Sequence, residues 1–211
     1  MSASAVEILR QQLREKFPQA HGMRVEPEVI ASQDKPFHAD SFPTGTLSEV
    51  VPAGPVAGIL LLVAGLLGEP DGSSLQPELV LIDGADGFDP DSFDDAACSK
   101  LLWVRCRSAL EMAKAADLLI HDGNLPFILL DTTGLDRREL QNIPASAWWR
   151  MKQTAERNGS RVVIMASYPL VPCASLRLTL SADLSLRHFD APRSELLDRL
   201  RPVSRSLRRA T

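Results

Sequence analysis

Short apolar runs alternate with helical segments from Leu47 onward, and this alternation restricts the fold more than any other feature of the sequence. The apolar runs are rich in branched residues and are bounded by polar or turn residues, which is typical of strands: LSEVV (47–51), LVLID (79–83), LLWVR (101–105), FILLD (127–131) and RVVIMAS (161–167). Alternating strands and helices predict an α/β fold with a mainly parallel sheet and helices on its faces.

The helical segments carry start and stop signals. Ser108 is predicted to cap a helix, with Glu111 completing a capping box and Gly123 ending the helix. A second helix is predicted from about Pro144 to residue 158, and a buried helix is predicted to end at Leu67. In SLRLTL (175–180) and DLSLR (183–187), Leu alternates with polar residues, which predicts a closing antiparallel pair with one solvated face.

The pattern divides the chain into four parts. We predict an N-terminal amphipathic helix over residues 1–26, a linker over 27–46 and a core domain over 47–190. A basic C-terminal tail covers 191–211, helical at first and mobile after Pro202.

The charges are segregated along the chain. Residues 36–99 contain eleven acidic residues and no Lys or Arg, whereas seven arginines and three acidic residues lie between Arg187 and Arg209. The total charge is −4, so the acidic stretch at −11 leaves +7 for the remainder. Such runs form either a solvated face or a docking surface.

Several other features restrict the environment. The three cysteines contain no C-x-x-C pair and the four histidines are far apart, so we expect reduced thiols, no metal site and a cytoplasmic protein. Residues 50–68 carry no charge, but Pro and Gly interrupt this run and no Lys or Arg flanks it. We therefore expect no membrane span.

Four segments in order resemble the RecA family. VLIDGADGFDP (80–90) is similar to the second core strand of that family and its acidic turn, with Asp83, Asp89 and Pro90 matching. Three further segments resemble the entry to the nucleotide loop, the helix with the Walker B strand, and the closing hairpin: 43–51, 108–133 and 175–188. This resemblance implies a RecA-like core, with an N-terminal helix and a closing hairpin.

The nucleotide loop departs from the family pattern. The loop needs G-x-x-x-x-G-K-[ST], in which backbone N–H groups and Lys bind phosphates and the hydroxyl binds Mg²⁺. Gly54 and Gly58 remain, but Gly58, Ile59 and Leu60 stand at the Lys-Thr positions. No Lys or Arg lies between Lys35 and Lys100 to meet the charge of ATP. We expect the two glycines to serve close packing and a turn into a buried helix.

The catalytic positions are also changed. Ala85 stands where the family has the glutamate that orients the attacking water. Asp131 matches the Walker B aspartate, but we expect it to bond the N–H groups of the next turn instead of Mg²⁺. The segment Tyr168–Ala174 replaces a long glycine-rich DNA-binding loop and carries no basic residue. The sequence therefore predicts no enzyme activity and no cofactor.

A RecA-like domain without these groups resembles the ImuA proteins, accessory partners of error-prone polymerases in the SOS response. This resemblance implies that the protein binds protein partners during bacterial DNA-damage tolerance: an error-prone polymerase complex or a RecA-like subunit. Two alternatives remain open. One is a cell-division inhibitor similar to SulA, and the other is a residual ATPase with an unorthodox loop.

Three groups of residues are predicted to bind partners. The N-terminal stripe, which also allows self-association, consists of Val6, Leu9, Leu13 and Phe17. Trp148 and Trp149 are adjacent on one helix and cannot both face the core; we assign Trp149 to partner binding. The tail contributes Arg199, Arg201, Arg205, Arg208 and Arg209. Weak DNA contact is the alternative role of this tail.

Overall fold

A single seven-stranded sheet organises the part of the chain that the computed structural model describes, namely residues 39–54, 61–67, 79–182 and 184–206. The strands are β1 (Thr46–Pro52), β2 (Leu79–Asp83), β3 (Leu101–Arg105), β4 (Phe127–Asp131), β5 (Arg161–Met165), β6 (Leu176–Ala182) and β7 (Leu200–Ser206). Their order is β3-β2-β4-β5-β1-β6-β7, and every neighbouring pair is parallel except β6 and β7. The predicted mainly parallel α/β sheet is confirmed.

Six α-helices connect or flank these strands in the described residues. They are α1 (Leu61–Leu67), α2 (Asp95–Ser99), α3 (Ala109–Asp122), α4 (Arg137–Gln141), α5 (Ala145–Asn158) and α6 (Arg193–Leu197). Short 3-10 helices cover Ala39–Ser41, Pro90–Ser92 and Leu186–Asp190.

The sheet is covered on both faces by apolar side chains. On one face, α3 and α5 pack against Ile82, Ile128 and Ile164 with Met112 and Trp148. On the other face, α1 and Phe42 pack against Leu81, Leu129 and Val163. Side chains alternate between the two faces of a strand, so β2 and β4 are buried along their whole length.

The predicted helix ends are largely confirmed. The Ser108 hydroxyl accepts a hydrogen bond from the Glu111 N–H (3.3 Å), and Gly123 and Gly159 end α3 and α5 with φ of 76° and 71°. Glycine suits these positions because the left-handed region is costly for other residues. The second half of the capping box was wrong, because the Glu111 carboxylate accepts from the Arg107 N–H instead (2.9 Å).

The closing antiparallel pair exists, but its second strand was assigned to the wrong segment. β6 pairs with β7. The end of the predicted strand DLSLR (183–187) instead begins a 3-10 helix, Leu186–Asp190. The Ser185 N–H donates to His188 Nδ1 (2.9 Å), a local capping interaction that stabilises a helical turn. Two leucines at alternating positions were too short a pattern to predict a strand.

The tail was also only partly predicted. Residues 193–197 are helical as expected, but residues 200–206 belong to the sheet and do not form a mobile extension. Leu196 and Leu200 are buried, so the apolar residues of this segment anchor it to the domain. Pro202 is tolerated because β7 is an outer strand, where a missing N–H breaks no ladder in the interior of the sheet.

Two other predictions lie outside the described residues: the N-terminal helix and most of the linker. Among the helices that the structure describes, none combines the length and apolar character needed to cross a membrane.

Candidate functional site

The loops that follow β2, β4 and β5 meet at one end of the sheet. We call these loops the carboxyl edge: residues 84–89, 132–136 and 166–175. From β2 the chain proceeds to β3 on one side, and from β4 it proceeds to β5 on the other side, so β2 and β4 flank a topological switch point. In open α/β sheets, this is where ligands commonly bind.

Asp83 ends β2 at this switch point, and its carboxylate is fully engaged by the protein. Oδ1 accepts from the N–H groups of Ala85 (3.3 Å) and Gly87 (3.1 Å). Oδ2 accepts from the Phe88 N–H (2.8 Å) and from Trp103 Nε1 (3.3 Å). Asp83 is buried, so its charge is balanced by these donors. The residue therefore holds the acidic turn in place.

Asp131 ends β4 beside Asp83, with which it is in register. Its Oδ1 accepts from the Thr133 N–H (2.9 Å) and the Thr133 hydroxyl (2.6 Å). This confirms that Asp131 bonds the N–H of the following turn. Burial raises the pKa of Asp131 above its usual range, and the Thr133 hydrogen bonds offset this only in part.

Two glycines bring the loops after β2 and β4 into direct contact. A Cβ on Gly84 would lie 2.6 Å from Leu135 Cδ1 and 2.8 Å from the Asp131 carbonyl oxygen. A Cβ on Gly134 would lie 2.6 Å from the Cβ of Ala85. Neither distance is sterically possible without movement, so the two loops pack closely at these glycines.

Only some of the residues predicted to form a degenerate nucleotide site lie in the part of the chain that the structure describes. Ala85 is exposed in the turn after β2, close to Gly134. Gly54 is exposed, and an added Cβ would meet no atom of the described residues within 4 Å; the buried helix into which it was predicted to turn begins outside them. Gly58, Ile59 and Leu60 lie outside the described residues.

Glu49 is a buried carboxylate whose role the sequence did not reveal. It lies within β1, fully buried, and accepts from the N–H groups of Leu170 (2.5 Å) and Val171 (2.9 Å) and from Arg177 Nε. A second nitrogen of Arg177 donates to the Val171 carbonyl (3.1 Å). Glu49 therefore fixes the segment that connects β5 to β6 across β1. The sequence signal that could have indicated this role is an acidic residue inside an apolar strand.

A polar cavity of about 350 Å³ opens beside these loops, and its charge is predominantly negative. The ionisable residues that line it include Arg107 and the acids Asp86, Asp136 and Glu139. Each acid already accepts a hydrogen bond, since Asp86 pairs with Arg105, Asp136 caps α4 and Glu139 accepts from the Ala109 N–H. Such a lining opposes a polyphosphate.

The potential metal ligands and buried thiols of the described residues form no metal site. In the described ranges, no group of three or more His, Cys, Asp or Glu is arranged to hold a metal ion. Burial raises the pKa of the Cys106 and Cys173 thiols, which keeps both protonated at neutral pH. Protonated thiols are poor nucleophiles and poor metal ligands.

The exposed side of α3 and α5 has a different character, and we call it the helical face. A groove of about 520 Å³ runs along it, with an apolar floor that includes Ala109, Ala113 and Ala147. Charged residues stand at its rim, and Arg150 bridges to Asp117 across the two helices (Nε to Oδ1, 2.9 Å).

Three large apolar side chains are exposed on these two helices. Leu110 and Leu118 on α3 are 62% and 70% exposed, and Trp149 on α5 is 45% exposed. Trp148 is buried, so the structure resolves which tryptophan faces solvent. Lys152 lies over the Trp149 ring (5.6 Å to its centroid) and does not cover it fully.

The predicted tail residues are dispersed. Arg199 lies between α6 and β7, whereas Arg201 and Arg205 are on β7. The Arg201 side chain donates to the carbonyl groups of Asp198 (2.6 Å) and Leu200 (3.1 Å). Arg208, Arg209 and the N-terminal stripe lie outside the described residues.

Comparison with known proteins adds no assignment. No protein-family model matches the chain, and no curated protein matches its sequence.

Proposed function

We propose that this protein is a non-catalytic RecA-like accessory protein that binds protein partners in bacterial DNA-damage tolerance. The main support for this proposal is the contrast between the carboxyl edge, whose carboxylates are hydrogen-bonded within the protein, and the helical face, which is open and apolar. The pathway rests on the resemblance of the sequence to ImuA-type proteins, and the fold class is compatible with it.

The helical face supports partner binding. Leu110 lines the apolar groove, and Leu118 and Trp149 are exposed on the same two helices. Exposed aromatic and aliphatic side chains of this kind anchor protein interfaces. The charged rim, with Lys114, Asp117 and Arg150, gives the groove the polar surround that such interfaces have. A peptide or helix from a partner would place apolar side chains between α3 and α5.

The carboxyl edge supports the non-catalytic part of the proposal. Asp83 and Asp131, the acidic residues at the switch point, hold adjacent backbone and side-chain groups. The alanine at position 85 supplies no group that could orient a water molecule.

The test uses affinity capture by the full-length chain from cells exposed to DNA damage. Wild type is expected to retain an error-prone polymerase complex or a RecA-type recombinase. Leu110→Glu places a charge at the groove and is expected to lower capture at least tenfold, because a buried apolar contact becomes a desolvated carboxylate. Ala53→Glu changes an exposed residue after β1, outside the groove and away from β3, and is the control.

Two results would contradict the proposal. Capture that is equal for wild type and Leu110→Glu would remove the groove from partner binding. Retention of a cell-division GTPase in place of a polymerase or recombinase would favour the SulA-like alternative.

A further inference from the structure

Among the described strands, β3 is outermost at one edge of the sheet and lacks the usual protection of such an edge. Leu101, Trp103 and Val104 are half-buried and Leu102 is 36% exposed, so the strand is apolar and partly open. It contains no proline, and its one charged residue, Arg105, is paired with Asp86 in the same chain (Nε to Oδ1, 2.5 Å). Natural proteins commonly block such edges with Pro, Lys or inward-pointing charges.

The opposite edge of the sheet does carry such protection. β7 contains Pro202, which has no N–H to donate, and Arg201 and Arg205. Proline and charge on an outer strand disfavour addition of another strand. The two edges therefore differ, and β3 is the one suited to pairing.

The backbone of β3 shows which groups face outward. The Lys100 carbonyl accepts from the Leu79 N–H (3.3 Å), and the Cys106 N–H donates to the Asp83 carbonyl (2.8 Å). Backbone direction alternates along a strand, so the even-numbered residues bond to β2 and Leu101, Trp103 and Arg105 point away. Among the described residues, no backbone group pairs with these outward groups.

We propose that two copies of this chain associate by antiparallel pairing of their β3 strands, with Trp103 on the two-fold axis. In this register, Trp103 exchanges N–H and C=O bonds with Trp103 of the second copy, and Leu101 does so with Arg105. Every outward backbone group of β3 is then satisfied. The two sheets become continuous through an isologous interface.

The side chains of β3 are self-complementary in the same register. Leu102 lies opposite Val104 of the second copy on the sheet face that α3 covers, so two apolar residues meet on each side of the axis. On the other face, Trp103 lies opposite Trp103 of the second copy, and Leu101 lies opposite Arg105. Each indole is held within its own chain by Asp83, Phe88 and Arg105. No pair of like charges is opposed. A second copy therefore fits this edge without change to the strand.

This inference does not depend on the proposed function, because it concerns a sheet edge and not the helical face. The first test is sedimentation equilibrium of the full-length chain at tens of micromolar. Wild type is expected at about twice its mass of 23.1 kDa. Leu102→Glu is expected to raise the dissociation constant at least tenfold, since it opposes a carboxylate to Val104. Leu118→Glu, an equal change on the helical face, is expected to stay dimeric.

A second test fixes the register. In Leu102→Cys/Val104→Cys, the two new thiols of one copy lie opposite those of the other, about 4.5–5.5 Å apart at Cβ and within reach of a disulfide. Oxidation is expected to give a covalent dimer on non-reducing gels, well above the level in wild type, which retains Cys98, Cys106 and Cys173. Leu118→Cys is the control and is expected to match wild type.

The proposal is overturned if wild type sediments as a monomer at the highest concentration. It is also overturned if Leu118→Glu dissociates the dimer while Leu102→Glu does not, because the contact would then lie on the helical face. If the protein is a dimer but the double-cysteine variant gives no more cross-link than wild type, the β3 strands do not pair in the register centred on Trp103, and the proposal is overturned.

Discussion

The carboxyl edge and the helical face differ in the chemistry of their side chains: the first is held by internally hydrogen-bonded carboxylates, and the second exposes apolar residues. The loops of the carboxyl edge are held by Asp83, Asp131 and Glu49, each of which accepts two or more hydrogen bonds from the protein itself. On the helical face, Leu110 and Leu118 are exposed, and Leu110 lines an open groove. A region whose polar groups are internally paired contributes to stability, whereas exposed apolar groups contribute little to folding and are available to a partner. Substitutions should therefore affect folding at the first region and binding at the second.

The largest expected effect is at the buried ion pair. Arg177→Ala leaves the Glu49 carboxylate without its charged partner and should lower the free energy of unfolding by about 3 kcal/mol. Arg150→Ala removes an exposed ion pair with Asp117 on the helical face and should change the free energy of unfolding far less, because solvent screens that pair. Urea unfolding of both variants checks the comparison. Equal losses would show that the two regions do not differ in this way.

The strands of the core were predictable because their patterns are local. LVLID, LLWVR and FILLD coincide with β2, β3 and β4. Each is an apolar run bounded by polar or turn residues, and burial on both faces or at an edge does not alter that signature. The segment after β6 was harder to predict. Leu184 and Leu186 alternate like strand residues, whereas Ser185 and His188 form a local helical cap.

The site was predictable only where one segment contained all its parts. Asp131 and Thr133 are two residues apart, so a bond between them is a local matter. Glu49 and Arg177 are far apart in sequence, and their pairing requires that residues 166–175 cross β1. The exposure of Trp149 in place of Trp148 depends on the rotation of α5 against the sheet, which adjacent residues do not specify.

A smaller loss of stability is expected where the loops of the carboxyl edge touch. Gly134→Ala introduces a Cβ 2.6 Å from that of Ala85, although the φ of Gly134 is not positive and would suit alanine. The expected cost is about 1–2 kcal/mol. Ala85→Gly removes the opposing atom, so the double variant should recover about 1 kcal/mol in a double-mutant cycle. Strictly additive losses in thermal or urea unfolding would mean that the loops are not in contact.

A weaker effect should depend on pH. The pKa of Asp131 is raised by burial, so the folded protein holds this proton at pH values where the unfolded chain has released it. The contribution of Asp131 to stability is therefore greatest at low pH and is lost as pH rises from near its ordinary pKa through the raised one. Relative to Asp131→Asn, wild type should become more stable as pH falls from 8 to 4. The difference between their unfolding free energies measures this residue, and a difference that is constant or of opposite slope would contradict the pKa shift.

The smallest expected effect is the heat of ATP binding, because the carboxyl edge offers few cations to bind the phosphates. The cavity beside the switch point is lined by Asp86, Asp136 and Glu139 against Arg107, and the adjacent loops pack closely where Gly134 meets Ala85. A nucleotide with about four negative charges would meet predominantly negative charge in this cavity. Calorimetry of the full-length chain with Mg-ATP at millimolar concentration should show no heat of binding. A dissociation constant below about 100 μM, equivalent to roughly −5.5 kcal/mol, would show that residues outside the carboxyl edge supply the missing cations, and the contrast between the carboxyl edge and the helical face would no longer describe the function.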